Sequence, residues 1–312
     1  MTFTGEPANS SQSPEPLSAL PGATGFEPPL PTVQTRRETS SSLLAYPATY
    51  ALIGVNLAVF AFMSRFGPVP VLVQQHAFGS ILTEPFPVNV LLYFGSSAPD
   101  LILAHGQWWR LFTANFVHVT PLHILLNMWC LWNLGIFGEP LLGAAGLVAV
   151  YLLTGVAGML QSLLVSILGG QWSVTAGASG SIFGLAGILI VLLSNRKLAL
   201  PWTELRALRQ QVIFFAVANL AIGMAPGLLP SLSPAHLRLM HLDPGVLPRI
   251  DNSAHVGGLL AGLALGLPLF PRMTSGRSSY RTRQRLVFGT AALLLCLLCY
   301  SIATLTRTAL FR

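Results

Sequence analysis

The sequence predicts an all-helical protein that crosses a membrane several times, and its composition is the first reason. Only 9% of the 312 residues are charged, against about 25% in an average soluble domain. Hydrophobic residues make up 53% of the chain, and the mean hydropathy is +0.64. Because a soluble chain could not cover its surface with so few charges, this composition argues against a soluble enzyme, a disordered hub and a nucleic-acid-binding protein.

The second reason is a series of seven apolar segments, each of roughly the length that spans a bilayer as a helix. They lie near residues 47–65, 121–138, 141–168, 174–194, 210–229, 253–270 and 286–306. No charged residue occurs over 140–195, a stretch too long for one span, and the Gly169-Gly170 pair divides it into two. Two long loops remain, over 66–120 and 230–252, and loops of this length are uncommon without a function.

The ends of the chain differ from its apolar middle. Residues 1–44 are rich in Pro, Ser, Thr and Gly and show no apolar period, which predicts a disordered cytoplasmic tail. No basic region precedes an early apolar core, so we expect no signal peptide. Residues 45–271 form the predicted six-helix core, and residues 272–312 are predicted to be a basic cytoplasmic loop followed by the seventh helix.

The distribution of Lys and Arg predicts how the helices are oriented. With the N-terminus placed in the cytoplasm, 11 of the 17 basic residues fall in inside segments and 6 fall outside. This bias predicts a cytoplasmic N-terminus and an outside C-terminus, and it accounts for much of the net charge of +7 without nucleic acid. The basic cluster from Arg277 to Arg285 is also placed to contact anionic lipid.

Uncharged polar side chains within the apolar segments mark the candidate site, because polar groups inside a membrane are costly. His123 and Asn127 are four residues apart, so they share one face of the second predicted helix, and His118 lies at its mouth. Ser179 lies near the start of the fourth predicted helix, and His255 lies near the start of the sixth. With the predicted topology, all five lie toward the outside half of the membrane.

These residue types fit acyl transfer by a serine nucleophile. A serine hydroxyl attacks poorly until a base takes its proton, and histidine is the usual base, so Ser179 and His255 form the candidate pair. His123 and Asn127 could donate to the oxyanion of a tetrahedral intermediate, together with free backbone N–H groups at the helix start near Ser179. Glycines repeat every three or four residues in both helices of the pair, a pattern that lets helices approach closely in lipid.

Each of these residues also has a structural interpretation that the sequence leaves open. Serine at a helix start is commonly a cap, histidine at a helix mouth is commonly an interfacial side chain, and intramembrane asparagine commonly bonds to another helix. Asp251, four residues before His255, is either the third member of a catalytic triad or, as we expect, a solvated loop charge. We expect no metal site and no cofactor, and Cys296 and Cys299 have no histidine or carboxylate beside them.

Four motifs in chain order make the sequence similar to rhomboid intramembrane serine proteases, over about residues 46–271. They are Trp109-Arg110 in the first outside loop, His118-(x4)-His123-(x3)-Asn127 in the second predicted helix, Gly177-Ala178-Ser179-Gly180 at the start of the fourth, and Ala254-His255-(x2)-Gly258-(x3)-Gly262 in the sixth. Each motif alone is weak, but the four together are highly specific. The seventh segment makes the chain similar to rhomboids that have six helices plus one.

The resemblance implies a role for each matching residue. Ser179 would be the nucleophile and His255 the base of a dyad without a third carboxylate, which disfavours a triad. His123, Asn127 and the Ser179 backbone N–H would bind the oxyanion. Other matching positions have an implied structural role. His118 would be structural, and Arg110 and Glu139 match loop-anchoring residues. Phe183 stands where the family often has tyrosine, and its stacking on His255 would survive; Gly180, Gly258 and Gly262 lie near the contact of the sixth helix with the fourth.

The implied function is an intramembrane serine endopeptidase that cleaves transmembrane proteins through an acyl-enzyme. Its partners would be transmembrane protein substrates and the lipid bilayer, with no nucleic acid, and we expect a multi-pass protein of the bacterial inner membrane whose site faces outside. Substrate would enter sideways past residues 210–252, where Pro226 and Gly227 could loosen the end of a helix. Two alternatives are open: a non-catalytic rhomboid-like protein that binds client transmembrane segments, and a small transporter or channel, which needs ionisable residues across the whole bilayer.

Overall fold

The computed structural model describes residues 45–66, 82–83, 85–170, 172–198, 200–228, 251–272 and 274–310, and most of these are helical. The helices, numbered in chain order within this part of the chain, are α1 (Pro47–Phe66), α2 (Val88–Tyr93), α3 (Pro99–Leu103), α4 (Arg110–Thr113), α5 (Pro121–Leu142), α6 (Ala144–Gly169), α7 (Ser179–Leu192), α8 (Trp202–Leu228), α9 (Asn252–Leu269) and α10 (Arg277–Leu310). The β pairing found among the described residues is one isolated antiparallel bridge, between Ser97 and Thr175. The predicted all-helical class is confirmed.

Five of these helices, α1, α6, α8, α9 and α10, are long and apolar enough to cross a membrane. Helix α5 has 22 residues, but it carries His123, Asn127 and Asn133 and is not one of the five. Helix α7 is apolar but has only 14 residues, because it begins at Ser179 and not near 174 as predicted. A helix this short cannot reach both faces of a hydrocarbon core about 30 Å thick, so at least one of its ends lies inside that core.

Helix α7 is central, and α9 packs against it backbone to backbone. A methyl group at Gly258 would lie 2.0 Å from the carbonyl oxygen of Gly180, and one at Gly262 would lie 2.0 Å from that of Gly184. Small residues at such contacts let helix backbones approach closely in a membrane. This contact brings the start of α9 beside the start of α7.

The described part of the first predicted loop folds into the short helices α2, α3 and α4 around a buried arginine. Arg110 is 6% exposed. Its Nε donates to Gln107 Oε1 at 2.7 Å, and its Nη1 donates to the carbonyl oxygens of Leu92 at 2.8 Å and Ser96 at 3.0 Å. Its guanidinium carbon also lies 4.7 Å from the ring centre of Trp109. Arg110 therefore holds together the segments on both sides of α3.

Among the described residues, the Glu139 side chain contacts the start of a helix, whereas the resemblance implied a role in anchoring a loop. Its carboxylate, near the end of α5, accepts hydrogen bonds from the N–H groups of Ala48 and Thr49, both at 2.9 Å. The Thr49 hydroxyl donates to it as well, at 2.7 Å. The first N–H groups of a helix have no partner within the helix and carry a partial positive charge, so a carboxylate is a favourable partner. Glu139 caps the first turn of α1.

Helix α10 begins at Arg277 and not near 286, so most of the segment predicted as a basic loop is helical. Tyr280 and Gln284 are buried on the side that faces the bundle. Gln284 Nε2 donates to the carbonyl oxygen of Leu142 at 2.8 Å, which satisfies one of the free carbonyl groups at the end of α5. These contacts bind the first turns of α10 to the bundle, while Arg277 and Arg285 stay exposed.

Helix α8 also begins earlier than predicted, at Trp202, and it continues through Pro226 and Gly227 to Leu228. We expected Pro226 and Gly227 to loosen the end of this helix, but the helix is not interrupted at these two residues. Residues 229–250, most of the second predicted loop, lie outside the described residues, and so does the predicted tail over 1–44.

Candidate active site

Ser179 and His255 meet at the starts of α7 and α9. Ser179 Oγ lies 2.8 Å from His255 Nε2, a normal hydrogen-bond distance. Ser179 is half-buried, while His255, in the first turn of α9, is 7% exposed. The two residues are 76 positions apart in the chain, so the packing of α9 against α7 is what brings them together.

The structure contradicts the alternative interpretations of Ser179 as a helix cap and of His255 as an interfacial side chain. Ala178 is the N-cap residue of α7, and Ser179 is the first residue of the helix, so Ser179 is not a cap. Its hydroxyl is instead hydrogen-bonded to the histidine ring. His255 is buried and is therefore not an interfacial side chain.

Phe183, one turn after Ser179, covers the face of the His255 ring. The ring centroids are 4.4 Å apart and the planes differ by 11°, so the rings are stacked. His255 Nδ1 is buried and has no hydrogen-bond partner among the described residues. Within this part of the chain, the ring is held by its hydrogen bond to Ser179, by stacking on Phe183 and by its own helix, and no polar side chain bonds to Nδ1.

His123 and Asn127 lie on α5, close to the segment that leads to Ser179. A methyl group at Gly177 would lie 2.7 Å from the His123 ring, so this ring covers the backbone two residues before Ser179. Asn127 is buried, and its Nδ2 donates to the carbonyl oxygen of His123 at 2.9 Å. Asn127 therefore bonds within its own helix and not to another one, and its second N–H makes no hydrogen bond within the described residues.

Gly177 and His118 shape the backbone just before Ser179. Gly177 has a φ of +129°, a conformation that residues with a side chain rarely adopt. The fully buried His118 accepts a hydrogen bond at Nε2 from the Ala178 N–H at 3.4 Å, and its Nδ1 lies 3.3 Å from the Phe116 carbonyl oxygen. A ring that accepts at Nε2 is neutral and carries its proton on Nδ1. His118 thus joins the first loop to the residue before Ser179.

Asp251 is not the solvated loop charge that the sequence predicted. It is half-buried at the N-cap of α9, where its side chain accepts from the N–H groups of Ser253 at 3.0 Å and Ala254 at 3.2 Å. It also accepts from the hydroxyls of Ser162 on α6 and Thr175. The Ser253 hydroxyl donates to it too, so free N–H groups at the helix start and three nearby hydroxyls replace the water that would solvate this charge.

The same hydrogen bonds bear on the protonation and role of Asp251. Burial acts to raise the pKa of Asp251, but the bonds from Ser162, Ser253 and Thr175 outweigh it and hold the pKa below its ordinary value of 3.8. No hydrogen bond joins this carboxylate to the His255 ring in the described part of the chain. Sequence reasoning missed Ser162 and Thr175, because single hydroxyl residues in an apolar segment form no pattern. Aspartate directly before an apolar helical segment was the available signal for the cap.

The fold and the site together define a class of protein. It is a helical membrane protein in which a serine and a histidine, on two helices packed through glycines, form a hydrogen-bonded pair. The Rhomboid domain family model matches residues 105–272, more than half of the chain. The chain belongs to the rhomboid family and is an integral membrane protein with several spanning helices.

Three relatives show the range of the similarity. The chain is 32% identical over 225 residues to "Rhomboid protease GluP" of Bacillus subtilis, which covers 70% of this chain and 35% of that protein. It is 32% identical over 211 residues to "RHOMBOID-like protein 5" of Arabidopsis thaliana, covering 64% and 58%. It is 28% identical over 217 residues to "Rhomboid-like protease 2" of Toxoplasma gondii, covering 69% and 66%. The chain therefore spans about a third of the bacterial relative and less than two thirds of the plant one.

Proposed function

We propose that this chain is an intramembrane serine endopeptidase that cleaves transmembrane proteins through a dyad of Ser179 and His255. The observation that carries the proposal is the 2.8 Å contact between Ser179 Oγ and His255 Nε2 in a rhomboid-family protein. Relatives that are named as proteases support the reaction class.

The proposed reaction has two balanced steps. His255 Nε2 takes the hydroxyl proton while Ser179 Oγ bonds to the carbonyl carbon of the scissile peptide. The peptide C–N bond then breaks, and His255 returns the proton to the leaving amine. Water attacks the acyl-enzyme with His255 again as base, which releases the carboxylate product and restores the serine hydroxyl. Because Ser179 and His255 supply both the nucleophile and the base, we expect no cofactor and no metal.

The tetrahedral intermediate needs hydrogen-bond donors for its oxyanion. Ser179 is the first residue of α7, so its backbone N–H has no acceptor within the helix and lies at the positive end of the helix dipole. We assign two further donors, the ring of His123 and the second amide N–H of Asn127. The position of the His123 ring against Gly177 supports this assignment.

We further propose that substrate enters sideways from lipid, between α5 and α8. A cavity of about 190 Å³ lies between these helices, and its lining includes Trp129, Val212 and Phe215. Leu193 also lines it, so the cavity lies toward the end of α7 opposite Ser179 and is not the site of the dyad itself. The ring centroid of Phe215 is 6.1 Å from that of Phe183, which stacks on the base. The Lys and Arg distribution supports a cytoplasmic N-terminus and a site that faces outside. We expect the membrane to be a bacterial inner membrane.

Purified protein in liposomes, incubated with a panel of single-span substrates and followed by product masses, tests the proposal. Wild type should cleave, and Ser179→Ala or His255→Ala should lower kcat by about 10⁴-fold or more. Ser278→Ala, an exposed serine on α10, is the matched control and should keep the wild-type rate. Cleavage by Ser179→Ala at the wild-type rate would contradict the dyad.

A fluorophosphonate probe separates the proposal from its alternative. We expect the probe to label the wild-type protein at Ser179 and to leave Ser179→Ala unlabelled. A folded wild-type protein that binds transmembrane clients but neither cleaves them nor takes the label would be a non-catalytic rhomboid-like protein.

A further inference from the structure

A carboxylate that the proposed reaction does not use lies between the two helices of the dyad. Oδ1 of Asp251 accepts from the N–H groups of Ser253 at 3.0 Å and Ala254 at 3.2 Å, and from the Ser253 hydroxyl. These bonds hold the first turn of α9. The next residue in that turn is His255.

The other oxygen of the same carboxylate faces the nucleophile's side of the site. Oδ2 accepts from Thr175 Oγ1 at 2.8 Å and from the hydroxyl of Ser162, and the two hydroxyl oxygens are 3.2 Å apart. Ser162 is 4% exposed and Thr175 is 7% exposed. Thr175 lies four residues before Ser179, and two backbone hydrogen bonds of 2.9 Å pair it with Ser97. Oδ2 therefore holds the segment that leads into Ser179.

The His255 ring needs such support, because His255 Nδ1 has no partner among the described residues. Stacking on Phe183 sets the plane of the ring, but a flat contact leaves the ring free to slide within that plane. The position of Nε2 relative to Ser179 then depends on the first turn of α9. A helix end lacks part of its backbone hydrogen bonding, so this turn needs an outside partner to be rigid.

We propose that Asp251 is a positioning residue of the dyad, which binds the turn of His255 with one oxygen and the segment before Ser179 with the other. The inference rests on the proposed function, since it concerns the same reaction. Asp251 touches neither substrate nor the reacting atoms, so its loss should lower kcat and leave KM unchanged. Bonds to an ionised carboxylate are stronger than bonds between neutral groups, which suits this role.

Asp251→Ser in the full-length protein tests the inference, because serine is about as good an N-cap as aspartate but has no second oxygen to hold Ser162 and Thr175. In liposomes we expect kcat to fall by about 10²-fold, the order of loss that a displacement of about 1 Å causes. Asp100→Ser is the matched control. Asp100 is exposed on α3, and its side chain makes no hydrogen bond within the described residues, so kcat should not change.

Two further variants keep the test decisive if Asp251→Ser does not fold. Ser162→Ala and Thr175→Val remove the partners of Oδ2 and leave the cap of α9 in place. Each should lower kcat by a smaller factor than Asp251→Ser at unchanged KM. A residue that served only as a helix cap would leave both variants at the wild-type kcat.

A spectroscopic measurement reports the ring position without cleavage. The ring ¹⁵N resonances of His255, assigned by their loss in His255→Ala, should shift in Asp251→Ser and in Thr175→Val but not in Asp100→Ser. Unshifted resonances together with wild-type kcat would overturn the inference. Failure of the proposed function gives a different result from failure of this inference. If the proposed function is wrong, wild type does not cleave, or Ser179→Ala cleaves as fast as wild type. The His255 resonances alone then decide the role of Asp251.

Discussion

Phe183 and His255 lie face to face, with ring centroids 4.4 Å apart and planes 11° apart. The two rings come from α7 and α9, so the stack is also a contact between the helices that carry the proposed nucleophile and base. Aromatic pairs of this kind contribute about 0.5–1.5 kcal/mol beyond the area they bury. Since His255 Nδ1 has no partner among the described residues, the stack is the side-chain contact that sets the plane of the imidazole.

Replacing Phe183 tests this contact. Phe183→Leu keeps an apolar side chain but removes the ring, and we expect kcat to fall by about tenfold, which corresponds to about 1.4 kcal/mol. Phe183→Tyr keeps the ring and should retain most of the wild-type kcat. Phe62→Leu is the matched control, because it removes an aromatic pair with Phe94 (centroids 5.6 Å apart) away from the dyad. An unchanged kcat in Phe183→Leu would show that stacking does not position the base.

The glycine contact between α7 and α9 yields a second prediction. In Gly258→Ala the new methyl group would lie 2.0 Å from the backbone oxygen of Gly180, which cannot move without moving α7. We expect a loss of about 1–3 kcal/mol of unfolding free energy from overpacking, together with a lower kcat because the dyad helices are forced apart. Thermal unfolding in detergent and cleavage in liposomes measure the two effects.

The control for this prediction is a glycine in open space. A methyl group at Gly289 on α10 meets no atom within 4 Å, so Gly289→Ala should keep kcat and keep or raise the melting temperature. Equal melting temperatures for Gly258→Ala and wild type would contradict the prediction.

Glu139 yields a third prediction, on stability. Glu139→Gln replaces a carboxylate oxygen by an amide N–H₂ that cannot accept from Ala48 or Thr49, so a buried donor at the start of α1 loses its partner. We expect the free energy of unfolding to fall by about 1–3 kcal/mol. Denaturation in detergent measures it, with Glu204→Gln, an exposed residue in the first turn of α8, as the control. Equal losses in both variants would exclude a specific role of the buried carboxylate.

The lowered pKa of Asp251 yields a prediction on pH. Its folded-state pKa lies below the ordinary value of 3.8, so the folded protein keeps the charge at pH values where the unfolded chain is protonated. The stabilisation by Asp251 is complete above about pH 3.8 and is lost as the pH falls through the folded-state pKa. The difference in stability between wild type and Asp251→Ser should therefore shrink as the pH is lowered from 5 toward 3. A difference that stays constant over this range would contradict the shift.

Several features could be predicted from the sequence because they depend on local properties of the chain. Scarcity of charge predicts a membrane protein, long apolar segments predict helices, and the spacing of Gly258 and Gly262 predicts a close helix contact. Helix starts were predicted less well, since α8 and α10 begin well before their apolar segments. The reason is that polar residues add little free-energy cost to the end of a helix when side chains such as Gln284 form hydrogen bonds with the bundle.

The sequence by itself determined the class, the family resemblance and the candidate residues Ser179 and His255. Only the tertiary structure decided which atoms meet: the hydroxyl and Nε2 across 76 positions, Glu139 with the first turn of α1, and Asp251 with hydroxyls from two other segments. The physical reason is that a hydrogen bond depends on distances of a few tenths of an ångström between groups far apart in the chain. Composition and residue spacing carry no information about distances at that scale. The packing of whole helices against one another sets those distances.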